Sequence, residues 1–171
     1  MNLLVIRHAI AEEREEWAAT GEPEEKRPLT DTGRKKMKKG ARGLRSLVQH
    51  IDLLATSPLT RAVQTAEIVA REYDALAVVV ASALEPQRAP ATFLEWLRST
   101  DQVETMAIVG HEPHLSGLVT WLLSARNGGR SSSLIELKKG GACLLDLHAL
   151  EPGQSRLEWL LTAGQLRDLR Y

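Results

Sequence analysis

Leu3-Leu4-Val5-Ile6-Arg7-His8 is the stretch that decides the fold. Four apolar residues in succession lack the alternation of a strand with one wet face. They form the pattern of a strand buried on both sides, as in a parallel sheet between two helix layers. The run breaks off at two ionisable side chains, Arg7 and His8. In open α/β sheets, ligands bind beyond the carboxyl ends of the strands. A charged pair at that point is therefore a candidate site as well as a strand end.

Moving outward, Ile51 to Thr56 is a second buried-strand candidate, Leu76 to Val80 a third strand, rich in valine, and Met106 to Val109 a fourth. Helical periodicity fills the gaps. Thr30 is positioned to cap a helix from Asp31 to Val48, with Met37, Ala41, Leu44 and Val48 as one apolar stripe. The other face of that helix carries Arg34, Lys35, Lys38, Lys39, Arg42 and Arg45, to be read as a solvated face or as a docking surface for an acidic partner. Ser57-Pro58 predicts a helix start, Ser as cap and Pro in the first turn, with Leu59, Val63, Ala66 and Val69 facing inward as far as Tyr73. A short helix is expected at Ala91 to Ser99, with Phe93, Trp96 and Leu97 as its apolar face, and Pro113 is expected to open another containing Leu115, Leu118, Val119 and Leu122. The charged stretch Glu12 to Arg27, with Gly21 and Pro23, predicts an exposed loop acting as a lid or specificity element. Arg126 to Ser133 predicts a mobile Gly/Ser loop. Ala142 to His148 and Arg156 to Leu161 flank Glu-Pro-Gly-Gln and predict an antiparallel hairpin. There is no internal repeat. The expected fold is α/β, a three-layer α/β/α sandwich with a mostly parallel central sheet and a C-terminal antiparallel hairpin, in a single domain over residues 1–171.

Composition narrows the function classes. The chain has 22 Lys+Arg against 22 Asp+Glu, so no global field draws it to nucleic acid or a membrane, and an anionic ligand must be held by a local cluster of cations. No apolar run approaches the ~20 residues of a membrane span. Nothing at the N-terminus has the form of a secretory signal, and a cytoplasmic monomer is the expectation. The single cysteine, Cys143, cannot form an internal disulfide and lies in an apolar run, where a small core residue is expected.

Arg7 and His8 follow the first strand, Arg61 lies just after the second, and His111 follows the fourth. Strand ends gather residues distant in sequence, so two guanidiniums and two imidazoles can converge on one pocket for a small, highly charged anion. That set suits phosphoryl transfer. Arg matches two phosphate oxygens with its planar fork, and neutral imidazole is a nucleophile that can carry a phosphoryl group. The scheme requires no metal and no cofactor. Other readings stay open at this point. Arg7 can pair with an acid such as Glu67. His8, His111, His114 and Glu112 can be read as zinc ligands, although two arginines nearby repel a dication. A module that grips phosphorylated partners without turnover needs much the same residues. His114 is expected to project from a helix surface, and His50 and His148 are expected to be structural.

Val5-Ile6-Arg7-His8-Ala9 resembles the Arg-His-Gly signature of the histidine phosphatase (phosphoglycerate mutase-like) superfamily. Ser57-Pro58-Leu59-Thr60-Arg61-Ala62-Val63-Gln64-Thr65-Ala66 is similar to its second motif, and Val109-Gly110-His111-Glu112-Pro113 to its third. Pro28-Leu29-Thr30 with Gly33 also matches the start of that family's first helix. The resemblance implies His8 as the phosphorylated nucleophile, Arg7 and Arg61 as holders of the phosphate oxygens, and His111 as a hydrogen-bond donor to the phosphoryl group. The short chain most resembles the SixA-type phosphohistidine phosphatases. These imply a phosphorylated protein as substrate, with a histidine-phosphotransfer domain as the partner by analogy. A phosphatase of small phosphate esters is the alternative. Two departures stand out. Ala9 occupies a usual Gly position, which is costly only if the backbone there needs a positive φ. Glu85 is the nearest candidate for the general acid that many members supply, although SixA-like members generally lack it. A phosphoramidate needs less enzymic acid than an alkyl ester, so Glu85 bears on substrate class.

Overall fold

The computed structural model describes residues 1–101, 103–126 and 132–169. Six strands form one mixed sheet: β1 (Asn2–Arg7), β2 (Leu53–Thr56), β3 (Val78–Val80), β4 (Thr105–Gly110), β5 (Ala142–Leu147) and β6 (Ser155–Leu161). Their order is β3-β2-β4-β1-β5-β6, with β1 to β4 mutually parallel and β5 antiparallel to both β1 and β6. The expected fold class is the one observed, and the apolar runs read as doubly buried strands explain why. Alternate residues of β1 face opposite layers. Leu4 and Ile6 pack with one helix layer, and Leu3 and Val5 with the other. Ala107 and Val109 of β4 likewise oppose Met106 and Ile108.

The first layer consists of α2 (Asp31–Leu47), α3 (Thr60–Glu72) and α6 (Ala163–Asp168); α4 (Pro90–Ser99) and α5 (His114–Ser124) cover the other face. Thr30 caps α2 as expected, its Oγ1 accepting from the Gly33 N–H at 2.9 Å. Cys143 is fully buried, and burial pushes its thiol up to about 12. Among the described residues, no helix is long and apolar enough to cross a membrane.

Several local expectations need correction. The stretch from Glu12 to Arg27 is not a plain loop: it holds α1 (Arg14–Ala18) and a 3-10 turn (Glu24–Lys26). Its order comes from polar bonds, including Trp17 Nε1–H to the Pro23 carbonyl at 3.0 Å and Arg27 Nη1–H to the Glu12 carbonyl at 2.6 Å. Ser57 does not cap α3. The helix begins two residues later than expected, with extended Leu59 as its N-cap, while the Ser57 hydroxyl is engaged by His111. α6 was not foreseen, although Thr162-x-x-Gln165 is a capping box and forms one. The Gly/Ser stretch at 126–133 falls mostly outside the described residues.

Two glycines of α2 show how tightly the first layer is fitted. A Cβ on Gly43 would overlap the Leu166 carbonyl of α6, whereas a Cβ on Gly40 would meet nothing. Gly43→Ala is therefore expected to cost about 1–3 kcal/mol by overpacking. Gly40→Ala should gain about 0.5–1 kcal/mol by removing backbone freedom from the unfolded helix. Urea midpoints moving in opposite directions would establish the contrast; equal shifts would contradict it.

Candidate active site

Register builds the site. In the parallel pairing, Arg7 lies opposite Gly110 and Thr56 opposite Val109, so the carboxyl ends of β1, β4 and β2 finish level. Backbone bonds extend this alignment one residue further, from His8 N–H to the Gly110 carbonyl and from Ser57 N–H to the Val109 carbonyl, both at 3.0 Å. His8, Ser57 and His111 consequently leave the sheet side by side. The imidazoles of His8 and His111 stand with ring centroids 5.1 Å apart.

These residues open onto a cavity of about 730 Å³ whose lining includes Arg7, His8, Arg61, His111 and Glu85, together with Arg14, Arg27, Lys139 and four more glutamates. Arg7, His8, Arg61 and His111, from three separate stretches of sequence, are thus brought together. Burial differs among the lining residues. His8, Arg27, Arg61 and His111 are buried, while the lining glutamates are half-buried or exposed.

His8 is held as a neutral base. Its Nδ1 lies 2.7 Å from the Ala9 carbonyl, which can only accept, so Nδ1 carries the proton and Nε2 keeps its lone pair. Burial above all, then the nearby guanidiniums of Arg61, Arg7 and Arg27, push the imidazole down to about 3 against the carbonyl's opposing pull. His111 is held at about 2 by burial and by His8 and Arg61, with Nε2 2.8 Å from Ser57 Oγ. Arg61 is lowered to about 10 by burial and by Arg27. Ala9 is not among the residues with positive φ, so alanine is unstrained there; its N–H donates to Thr65 Oγ1, which in turn donates to the Arg61 carbonyl.

Arg7 does not pair with Glu67. It donates to the Leu137 carbonyl at 2.7 Å, and Glu112 and Glu136 are the acids that act on its charge. His114 is a further correction: it is buried at the start of α5, packed among that helix's inward residues, where burial lowers its basicity. His50 and His148 are exposed and lie next to Asp52 and Asp146. Among the described residues, no group of three or more His, Cys, Asp or Glu side chains is arranged to hold a metal ion.

Arg27, Glu24 and Ser57 are the lining or neighbouring groups that sequence reasoning missed. Glu24 accepts from Arg27 Nε and Nη2 at 2.9–3.1 Å, and lies 3.5 Å from Arg61 and 3.7 Å from Arg14. These guanidiniums hold its carboxyl below the usual range, Arg27 foremost. The hint in the sequence was Glu24 at three residues before Arg27, an i,i+3 pair on a turn.

Against this geometry, residues 3–89 match the family model for the histidine phosphatase superfamily (branch 1). The chain belongs to the histidine phosphatase superfamily. Its enzyme class is accordingly that of a phosphatase, a hydrolase. An uncharacterized protein of Picosynechococcus sp. is 33% identical over 160 residues, covering 92% of this chain and 89% of the relative. In fold the chain is similar to the protein histidine phosphatase SixA complexed with tungstate, with TM-score 0.79, 20% identity and coverage of 97% and 99% of the two chains. It is also similar to a phosphoserine phosphatase from Entamoeba histolytica in complex with 3-phosphoglyceric acid, with TM-score 0.69, 16% identity and coverage of 96% and 98%.

Two expectations follow for this phosphatase. His8 and His111 sit below their ordinary 6.5 when folded, so the unfolded chain binds protons that the folded site refuses. The stability carried by the neutral rings is complete above about pH 6.5 and is lost progressively as pH falls toward 3. Urea midpoints should fall between pH 7 and 5, with a shallower slope in His8→Asn; a ring signal of His8 titrating near 6.5 by NMR would contradict this. Second, Glu24→Gln keeps an acceptor for Arg27 but removes a negative charge beside Arg61. Inorganic phosphate should then bind about two- to fivefold tighter by calorimetry; weaker binding would mean that the carboxylate serves only to orient the arginines.

Proposed function

We propose that this protein is a cytoplasmic, SixA-like phosphohistidine phosphatase that removes phosphate from a phosphorylated histidine of a signalling protein. His8 Nε2 attacks phosphorus, the bond from phosphorus to the substrate imidazole breaks, and the departing nitrogen takes up a proton. Water then attacks the phosphoryl group on Nε2, releasing inorganic phosphate and returning neutral His8. Arg7 and Arg61 bind the equatorial oxygens on which the transition-state charge accumulates, and His111 donates to the same group.

The observation that carries this reading is the gathering of His8, His111, Arg7, Arg27 and Arg61 around one pocket that carboxylates also line. Buried Arg27 and Arg61 stand near His8 and favour an oxyanion there, while Glu13, Glu24, Glu25 and Glu85 also line the pocket, together with exposed Arg14 and Lys139. The substrate imidazole takes up one proton to leave as a neutral ring, and carboxylates beside it favour that protonation. An ester oxygen is far less basic and gains less from them. The SixA structure with tungstate, a tetrahedral oxyanion, supports a phosphate-sized hollow in this fold. A histidine-phosphotransfer domain is the partner class that this reading favours. A second reading, hydrolysis of small phosphate esters, draws on Glu85, which lines the pocket 3.7 Å from Arg88 and in that reading would have to supply a proton to the alkyl leaving group.

The test is single turnover with a phosphohistidine protein and with simple esters in competition. Wild-type enzyme should yield an acid-labile phospho-enzyme, and His8→Ala none, with its fold retained. Arg61→Ala should lose about 3–4 kcal/mol of transition-state stabilisation. Glu85→Gln should slow ester hydrolysis while leaving phosphohistidine nearly untouched. A phospho-enzyme in His8→Ala would overturn the mechanism, and preference for esters would overturn the substrate class.

A further inference from the structure

Away from the pocket, α2 and α3 enclose a groove of about 440 Å³ lined by Arg34, Lys35, Lys38, Arg42 and Arg71, with Ile68 among the cations. Glu72 is the one acid in the lining, 3.6 Å from Arg42. Arg34, Lys35, Lys38 and Arg71 have no carboxylate within 4.0 Å among the described residues. This is a strong local excess of positive charge on a chain whose formal net charge is zero.

The placement runs against the helix's own preferences. Arg34, Lys38 and Arg42 stack at i,i+4 spacing, where like charges destabilise a helix by about 0.2–0.5 kcal/mol per pair. Arg34 and Lys35 also lie near the amino-terminal end of α2, where the backbone dipole already presents positive charge. A merely solvated face achieves solubility with alternating signs and without either penalty. An anionic surface laid in the groove relieves both.

The groove is also tied to the pocket. Ile68 lies seven residues beyond Arg61 on α3, about 10 Å along the helix axis. α2 starts just after pocket-lining Arg27, and Leu29 N–H is fixed to Gln64 Oε1 of α3. A protein that presents its phosphoryl group to His8 therefore spans a distance of only a few helical turns to reach the groove.

We infer that the groove between α2 and α3 docks an acidic segment of the phosphorylated protein, with Asp or Glu side chains against Lys35, Lys38 and Arg71 and an apolar side chain over Ile68. A concave surface with an apolar element does not match a flat bilayer, and Glu72 inside it opposes a continuous phosphate backbone. This inference rests on the phosphohistidine reading for its partner, but its test can be separated from it.

The probes are two helical peptides bearing one phosphohistidine: one has a Glu-flanked Leu about 10–15 Å away along the helix, and the other has Gln in place of those Glu residues. Free phosphohistidine is the minimal substrate. Wild-type enzyme should show a KM about tenfold lower for the acidic peptide, an advantage that disappears on raising salt from about 0.05 to 0.5 M. The triple variant K35E/K38E/R71E should lose that advantage while keeping its melting temperature and its kcat/KM on free phosphohistidine. Equal KM values for the two peptides, or an advantage that survives in the variant, would overturn the docking site. Fluorescence anisotropy with the unphosphorylated acidic peptide reads the groove without turnover: binding in wild type and its loss in the variant support docking even if phosphohistidine proves not to be the substrate. Tighter binding of a DNA duplex or of phosphatidylglycerol vesicles than of the acidic peptide would assign the groove to another class of partner and end this proposal.

Discussion

The parallel register of β1 against β4, and of β4 against β2, is the constraint on which everything else in this molecule depends. It sets Arg7 opposite Gly110 and Thr56 opposite Val109 at the carboxyl edge of the sheet. A one-residue slip would turn each doubly buried strand over and exchange the residues meant for the two helix layers. It would also separate His8 from His111. Here register is fixed by packing on both faces at once, since Leu3 and Val5 must find one helix layer and Leu4 and Ile6 the other. The geometry of the site is thus a consequence of the core.

The same burial sets the chemistry. Buried imidazoles beside guanidiniums cannot hold a second ring proton, and His8 and His111 are consequently neutral at neutral pH. For a nucleophile this is the useful state, and it needs no neighbouring base to generate it. The single carbonyl contact at Ala9 does what a carboxylate does in other sites: it fixes the tautomer. A carboxylate there would restore the proton affinity that burial removes and would place a negative charge where the proposed reaction binds an oxyanion.

How much of this was legible in sequence depends on the kind of order involved. Continuous apolar runs and the motifs around His8, Arg61 and His111 carried the fold class and the convergence of the pocket, because strand-end placement follows directly from sheet topology. Short elements held by polar contacts were less visible. Nothing periodic marks α1 or the turn at Glu24–Lys26, whose order comes from Trp17 bonding to Pro23 and Arg27 reaching the Glu12 carbonyl. Ser57 was misread because its capping chemistry is equally the chemistry of a partner for imidazole, and local sequence cannot say which neighbour the fold supplies. His114 was misread because it is the first residue of α5, where the following residues through Thr120 are also buried, so this end of the helix has no solvent face.

Glu24 exposes the tension that any such site must resolve. Arg14, Arg27 and Arg61 around one small hollow repel one another, and the lowered basicity of Arg61 reflects both that repulsion and its burial. Without an anion, the apo protein would be loosened where it most needs fixed geometry. A fully buried carboxylate would resolve this too well, neutralising the arginines and competing with phosphate on equal terms. Glu24 is instead partly exposed, on a three-residue turn, and held chiefly by Arg27 while remaining more distant from Arg61. Its attraction is screened by solvent and therefore modest. The arginines stay oriented, and in the proposed reaction a phosphoryl group displaces the contact with Arg61 without breaking the one with Arg27.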